Sequence, residues 1–228
     1  MQKILSFKAK LLEKIQIAKS DFKLIYDVPA EFSFKPGQFV GIRFQPTYTR
    51  AYSIVDLKDG KMELLIDVNP GGLASKYFEK TKVGDQVSML GPYGIFSIKS
   101  DLPKKVFICT GTGVAPFIPM IKSLDLAKFD ITLLFGTKTN ANDIAYNYFA
   151  ENISDTFKYI QCVTREVPKK KYAKKGRVTE VLQRMINSKH LEVKDTEFYL
   201  CGSNQMIADV VDILKKNGAD KMFYEKYG

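Results

Sequence analysis

The sequence predicts two domains of different class: a six-stranded antiparallel β-barrel over residues 1–99 and an α/β domain on a parallel sheet over residues 100–228. Three observations lead there. At 228 residues the chain is longer than one average domain. Up to about residue 100 its apolar residues fall in short alternating runs punctuated by Pro and Gly. Beyond Lys104 short apolar runs alternate with longer segments of helical period.

In the first half the expected strands are ILSFKAKLLEKIQIA, FKLIYDV, QFVGIRF, AYSIVDL, MELLIDV and QVSML. Turn-forming residues separate them in FKPGQ, in the DG of LKDGK, in NPGG and in GPYG. One helix is expected here, LASKYFEKT, opening after Gly71 and Gly72. SIKSDLPKK joins the halves. In the second half VFICTG leads into VAPFIPMIKSLD, ITLLFGT into ANDIAYNYFAEN, FKYIQCV into RVTEVLQRMIN, and EFYLCG into NQMIADVVDILKKNG, before a last strand in KMFYE. Four strand-helix alternations and a closing strand make a parallel sheet covered on both faces.

Composition narrows the chemistry. Hydrophobic residues at 45% and charged residues at 26% are ordinary for a globular protein, and no segment is apolar for the length of a membrane span. Lysines interrupt the first twenty residues, which lack a signal peptide's continuous apolar stretch, so a cytoplasmic location is expected. Cys109, Cys162 and Cys201 stand far apart with no CxxC pair, which argues against a disulfide framework, structural zinc or an iron-sulfur cluster. The single histidine, His190, lies in a polar connection, leaving hydrolysis by a Ser/His or Cys/His pair little to build on.

A formal net charge of +10 attracts anions, and its sign does not choose among nucleic acid, anionic lipid, phosphorylated cofactors and acidic proteins. The basic run PKKKYAKKGR, residues 168–177, sets five lysines and an arginine around Tyr172. It is a single run without interleaved aromatic platforms, so a solvated loop is expected and a nucleic-acid partner is not.

Residues 109–116, CTGTGVAP, place Gly111, Thr112 and Gly113 on the first strand-to-helix turn, where backbone N–H groups and a helix start can meet a pyrophosphate. Pro116 stands where a dinucleotide fingerprint has its third glycine, and would fall in the first turn of the helix. Any tight strand-to-helix connection needs glycines, and that explanation stands beside the phosphate one for this stretch. The second strand ends with Lys138 in place of the acid that takes ribose hydroxyls in NAD-selective folds. The third strand ends with Thr164 and Arg165, and the next helix opens at Arg177. A hydroxyl with cations at adjacent strand ends suits a 2′-phosphate. Solvated surface charge accounts for each of them taken singly.

Six stretches, in order along most of the chain, resemble the ferredoxin-NADP reductases and their relatives, oxidoreductases that join a flavin-binding barrel to an NAD(P)-binding domain. They are RAYS (50–53), NPGGLAS (69–75), GPYGIF (91–96), TGTGVAP (110–116), YLCGSNQM (199–206) and the terminal FYEKYG. The resemblance implies that Arg50 pairs with a flavin phosphate, that Tyr52 lies against the isoalloxazine and that Ser53 hydrogen-bonds near flavin N5. Ala51, Asp67, Val68, Gly72, Leu73, Ala74 and Ser75 complete the flavin site, with the N–H groups from Leu73 to Ser75 receiving the pyrophosphate. Tyr93 is placed to cover an adenine, so FAD is expected ahead of FMN. Thr112, Gly113, Val114, Ala115 and Pro116 present the nicotinamide dinucleotide turn, while Lys138, Thr164, Arg165 and Arg177 favour NADPH over NADH. Cys201, with Gly202, lies beside the nicotinamide, Glu225 is the acid linked to that pocket, and Tyr227 is the aromatic that shields the flavin. Three positions depart from the family pattern: Thr164 replaces a common serine, Lys138 a common arginine, and Gly228 follows the terminal aromatic.

The function so implied is hydride transfer from NADPH to FAD, followed by single-electron transfer to an acidic ferredoxin or flavodoxin, with Ser53, Cys201, Glu225 and Tyr227 at the reacting centre. A free-flavin or ferric reductase, or the electron-entry subunit of a larger redox complex, fits the same motifs.

Overall fold

A computed structural model of the chain describes residues 2–69 and 71–227, with the side chain of Tyr227 outside the described set. The chain divides into two compact units: Met1–Ile98 with Ala115–Ser123, and Lys99–Val114 with Leu124–Gly228.

In the first unit, β1 (Leu5–Gln16), β2 (Asp21–Asp27), β3 (Phe39–Gln45), β4 (Tyr48–Lys58), β5 (Lys61–Asp67) and β6 (Gln86–Tyr93) close a barrel in the order β1-β2-β5-β4-β3-β6. Every neighbouring pair is antiparallel, and β1 returns to β6 with Leu5 opposite Gly91, so the sheet keeps no open edge. Strand alternation sends Leu11, Leu24, Val40, Ile42, Ile54, Met62, Leu64 and Met89 into one buried core. Helix α1 (Leu73–Lys80) adds Phe78 to it, a burial worth roughly 1.5–3 kcal/mol. Helix α2 (Phe117–Lys122) belongs to the same unit and sets Phe117 against Phe96, ring centroids 5.9 Å apart.

In the second unit, β7 (Lys104–Thr110), β8 (Asp130–Thr137), β9 (Phe157–Val163), β10 (Ala173–Lys175), β11 (Thr196–Ser203) and β12 (Met222–Tyr227) form one parallel sheet in the order β10-β9-β8-β7-β11-β12. Helices α4 (Val178–Asn187) and α5 (Asn204–Lys216) bury Val178, Val181, Leu182, Val210 and Leu214 against Val106, Ile108, Leu134 and Leu200. The chain moves outward from β7 to β10, then crosses back to place β11 on the other side of β7. The strand order therefore reverses between β7 and β11, where doubly wound sheets open a ligand crevice at their carboxyl ends.

Four local expectations are corrected. Pro116 is the residue before α2, with φ −66°, and follows a 3-10 turn at Gly111–Val114. That helix ends early, at Lys122, where the Ser123 hydroxyl donates to the Met120 carbonyl. The helix expected in ANDIAYNYFAEN shrinks to α3 (Tyr146–Phe149) between two 3-10 turns, because Asp143 breaks the periodicity by accepting hydrogen bonds from the hydroxyls of Tyr159 and Tyr172. The basic run contains an ordered edge strand, β10. Tyr172 anchors it by stacking on Tyr146, with centroids 4.5 Å apart and planes 8° from parallel.

Candidate functional site

The barrel unit carries the residues expected at the flavin. Register places Val40 opposite Tyr52 and Phe39 opposite both Ser53 and Tyr93, so RAYS and Tyr93 stand on the two strands that flank β3. Ser53 is 4% exposed, whereas Arg50 and Ala51 face solvent. The Arg50 guanidinium lies 4.4 Å from the Tyr48 ring centroid, and among the described residues no carboxylate pairs with it. Tyr52 packs edge-on against Phe44 and Phe78, and burial, with the nearby Tyr48, pushes its phenol well above the usual tyrosine range. It is a hydroxyl held neutral.

Helix α1 ends the same neighbourhood. Asp67 accepts from the Asn69 N–H at 2.8 Å and the Val68 N–H donates to the Ser20 carbonyl at 2.9 Å, which turns the chain toward Gly72. Gly72 offers no side chain to cap the helix, the first turn holds no acid, and Ser75 is 7% exposed. The N–H groups of Leu73, Ala74 and Ser75 thus head a helix whose positive end carries no compensating side chain. A helix start with no acid in its first turn and an arginine with no carboxylate are donors without an anion. That donor set fits the phosphates of FAD.

The α/β unit carries the residues expected at the nicotinamide dinucleotide. At the switch point Gly113 and Gly202 bring the dinucleotide turn and the CG motif into backbone contact. A Cβ on Gly113 would lie 2.5 Å from the Cys201 carbonyl oxygen, and one on Gly202 would lie 2.6 Å from Thr110 Oγ1. Gly202 also has φ +146°, where glycine is favoured. Register sets Cys109 level with Cys201, and Cys201 level with Glu225, across β7, β11 and β12. Both cysteines are fully buried, and burial pushes the Cys109 thiol up, with Cys201 adding to the effect. Burial raises the Glu225 carboxyl from its usual 4.5 to about 7, and its Oε2 is buried without a hydrogen-bond partner among the described residues. An orphaned acceptor at the level of Cys201 is what a donor on a bound ring would satisfy. The role expected of Tyr227 concerns a side chain outside the described residues, as does Gly228.

The expected phosphate groups collect at the carboxyl ends of β8 and β9 and at the start of α4. The Thr164 N–H donates to the Thr137 carbonyl and the Arg165 N–H to the Lys138 carbonyl, at 3.1 and 2.8 Å, so Lys138 and Arg165 are held side by side. Their side chains and that of Arg177 face solvent. The Thr164 hydroxyl donates to the Thr137 carbonyl at 3.1 Å, a bond it must exchange to serve a ligand. Sequence reasoning missed Lys175, whose Nζ donates to the carbonyls of Thr164 and Glu166 at 2.9 and 3.0 Å and fixes this corner. It also missed Cys109, whose place beside Cys201 comes from strand register alone. The start of α4 differs from that of α1, because Glu180 accepts from the Arg177 N–H and occupies the first turn. An anion here depends on the guanidinium and ammonium groups.

Glu225 gives a test by pH. A carboxyl raised in the folded state binds its proton more tightly than in the unfolded chain, so its stabilising contribution is complete below about 4.5 and is lost as pH rises through about 7. The melting temperature of the wild type is expected to fall between pH 5 and 8 relative to that of Glu225→Gln. Parallel melting curves across that range would place the carboxyl in water.

Comparison with known proteins follows the same order along the chain. A family model described as an oxidoreductase FAD-binding domain matches residues 8–98, and one described as an oxidoreductase NAD-binding domain matches residues 107–212. The toluate 1,2-dioxygenase electron transfer component of Pseudomonas putida is 32% identical over 208 residues, covering 86% of this chain and 60% of that protein. The chain therefore spans about 60% of that relative's length. Among solved structures, the Amycolatopsis cytochrome P450 reductase superposes with a TM-score of 0.87 at 24% identity, covering 99% of this chain and 71% of that one. A ferredoxin NADP+ reductase from Neisseria gonorrhoeae, with bound FAD and NADP, superposes with a TM-score of 0.85 at 22% identity, covering 97% of this chain and 98% of that one. These likenesses show a shared fold.

Proposed function

This chain belongs to the ferredoxin-NADP reductase superfamily, the oxidoreductases that join a flavin-binding barrel to an NAD(P)-binding domain, and from that premise we propose that it carries hydride from NADPH to FAD and sends electrons singly to an acidic ferredoxin or flavodoxin in the cytoplasm. Bound FAD would supply the conversion of a two-electron donor into single electrons. The residues bind and orient. Arg50 and the first-turn N–H groups of α1 take the flavin phosphates, Tyr52 offers a neutral hydroxyl and an aromatic edge, and Ser53 is held buried on β4 for the ring. Thr112, Gly113 and the following Val114, Ala115 and Pro116 lead the dinucleotide past the Cys201–Gly202 backbone, and Glu225 holds or releases a proton near neutral pH.

The observation that carries the NADPH preference is the grouping of Lys138, Thr164, Arg165 and Arg177 at adjoining strand ends with no acid at the end of β8. The net charge of +10 supports an acidic acceptor through electrostatic steering. A second reading, the electron-entry component of a larger redox assembly, is favoured by the relative named an electron transfer component of a dioxygenase.

The test is anaerobic reduction of the yellow holoprotein by NADPH and by NADH, in the wild type, Arg165→Ala and Arg177→Ala. Losing one charge-assisted bond to the 2′-phosphate should raise the Michaelis constant for NADPH by roughly 10- to 100-fold and leave that for NADH within about twofold. Equal effects on the two donors refute the 2′-phosphate assignment, and a colourless protein that takes up neither FAD nor FMN refutes the flavin one.

A further inference from the structure

We propose that Lys14, on β1, is a positioning residue for FAD: it locks the C-terminal end of α1 so that the opposite end stays formed and presented to the flavin phosphates. The inference rests on the flavin reading above. The Lys14 Nζ donates to three carbonyls at the end of this eight-residue helix, those of Phe78, Glu79 and Thr81, at 2.7, 3.0 and 3.0 Å. It lies 5.0 Å from the Phe22 ring centroid, within the barrel wall. All three ammonium protons are used, on carbonyl groups that a helix end leaves without intrahelical partners. A cation at this end also complements the helix dipole.

The two ends of α1 differ sharply. Around its C-terminus, Lys14 is joined by the Asp85 carboxylate, which accepts from the Thr81 hydroxyl and the Lys82 N–H. At its N-terminus there is no side-chain cap and no acid. Two turns of helix do not persist in water by themselves, so the N–H groups of Leu73, Ala74 and Ser75 keep their direction only if the helix is pinned elsewhere. Phe78 pins it through the core, and Lys14 pins it through the backbone. Neither Lys14 nor its three acceptors is among the expected flavin ligands, and Lys14 reaches the flavin only through α1.

The experiment titrates apoprotein with FAD and with riboflavin, which carries the ring and ribityl chain without phosphate, and follows the change in flavin fluorescence. Lys14→Met is expected to weaken FAD about tenfold and riboflavin by less than twofold, and Lys14→Arg, which keeps charge and several donors, to restore most of the FAD affinity. A merely structural lysine would lower both affinities in the same proportion, and that result, or an unchanged FAD affinity, overturns the proposal. Because Lys14→Met could fail to fold, hydrogen exchange on the wild type supplies a second measurement. FAD should slow exchange at residues 78–81 together with residues 73–75, and protection confined to the first turn overturns the inference. A wild type that binds no flavin is instead a failure of the flavin reading, and the two failures are distinguishable.

Discussion

Replacing Gly113 with alanine should lower kcat/KM for flavin reduction by NADPH by at least about 100-fold while the barrel keeps its flavin, as expected when reacting groups are displaced by about 1 Å. The cause is the absence of space. The new methyl carbon would lie 2.5 Å from the Cys201 carbonyl oxygen, 2.8 Å from the Cys201 carbonyl carbon and 3.0 Å from Gly202 Cα. All three are backbone atoms of β11, which is hydrogen-bonded to β7 and β12 on either side, so none can rotate away as a side-chain tip could. The turn must move, and with it Thr112 and the N–H groups proposed to receive the dinucleotide. Anaerobic stopped-flow mixing of the holoprotein variant with NADPH measures the effect. A loss under tenfold would mean that the turn and the CG motif accommodate a methyl group.

Replacing Glu197 with alanine should cost about 3–5 kcal/mol of unfolding free energy, the usual effect of removing one member of a buried ion pair. Lys105 and Glu197 stand directly opposite on β7 and β11, with side chains 0% and 1% exposed and 2.5 Å between Nζ and Oε2. The Lys105 ammonium also donates to the Ser100 carbonyl, and Glu197 accepts from the Ser100 and Tyr199 hydroxyls at 2.8 and 3.0 Å. Without the carboxylate, the ammonium is left against the Phe129 ring with one carbonyl acceptor. Urea denaturation of the full chain, followed by far-ultraviolet circular dichroism, reads the loss. The double variant Lys105→Met with Glu197→Leu should recover most of it, since no charge then remains buried. If the double variant is as unstable as the single one, packing and not charge governs the site. The network also ties Ser100, within the joining segment, to the floor of the parallel sheet. It lies at the opposite ends of the strands from Gly113 and Cys201, so the two predictions test separate places in one sheet.

The charge of the basic run shows where sequence reasoning stops. Its lysines read correctly as exposed, but Tyr172 read as one more residue of a loop. In the structure Tyr172 is sandwiched into a group with Tyr146, Tyr159 and Asp143, whose carboxyl is pushed up by burial. Those partners lie 13 to 29 residues away, beyond any local pattern. The same limit hid β10, whose three residues are too few to show a period and form a strand only because β9 pairs with them.

By itself the sequence determined the two architectures, the turn residues, the flavin and nicotinamide motifs and the net charge, because alternation, helical period and turn chemistry are properties of neighbouring residues. Tertiary structure alone decided which strands adjoin. Strand order made β7 and β11 the switch point, set Cys109, Cys201 and Glu225 on one level, and left no room for a side chain at Gly113. It also placed Lys14 under a helix that begins 59 residues later. Each of these depends on contacts between segments far apart in the chain, formed when burying the core fixes register, and register is not written in any one segment.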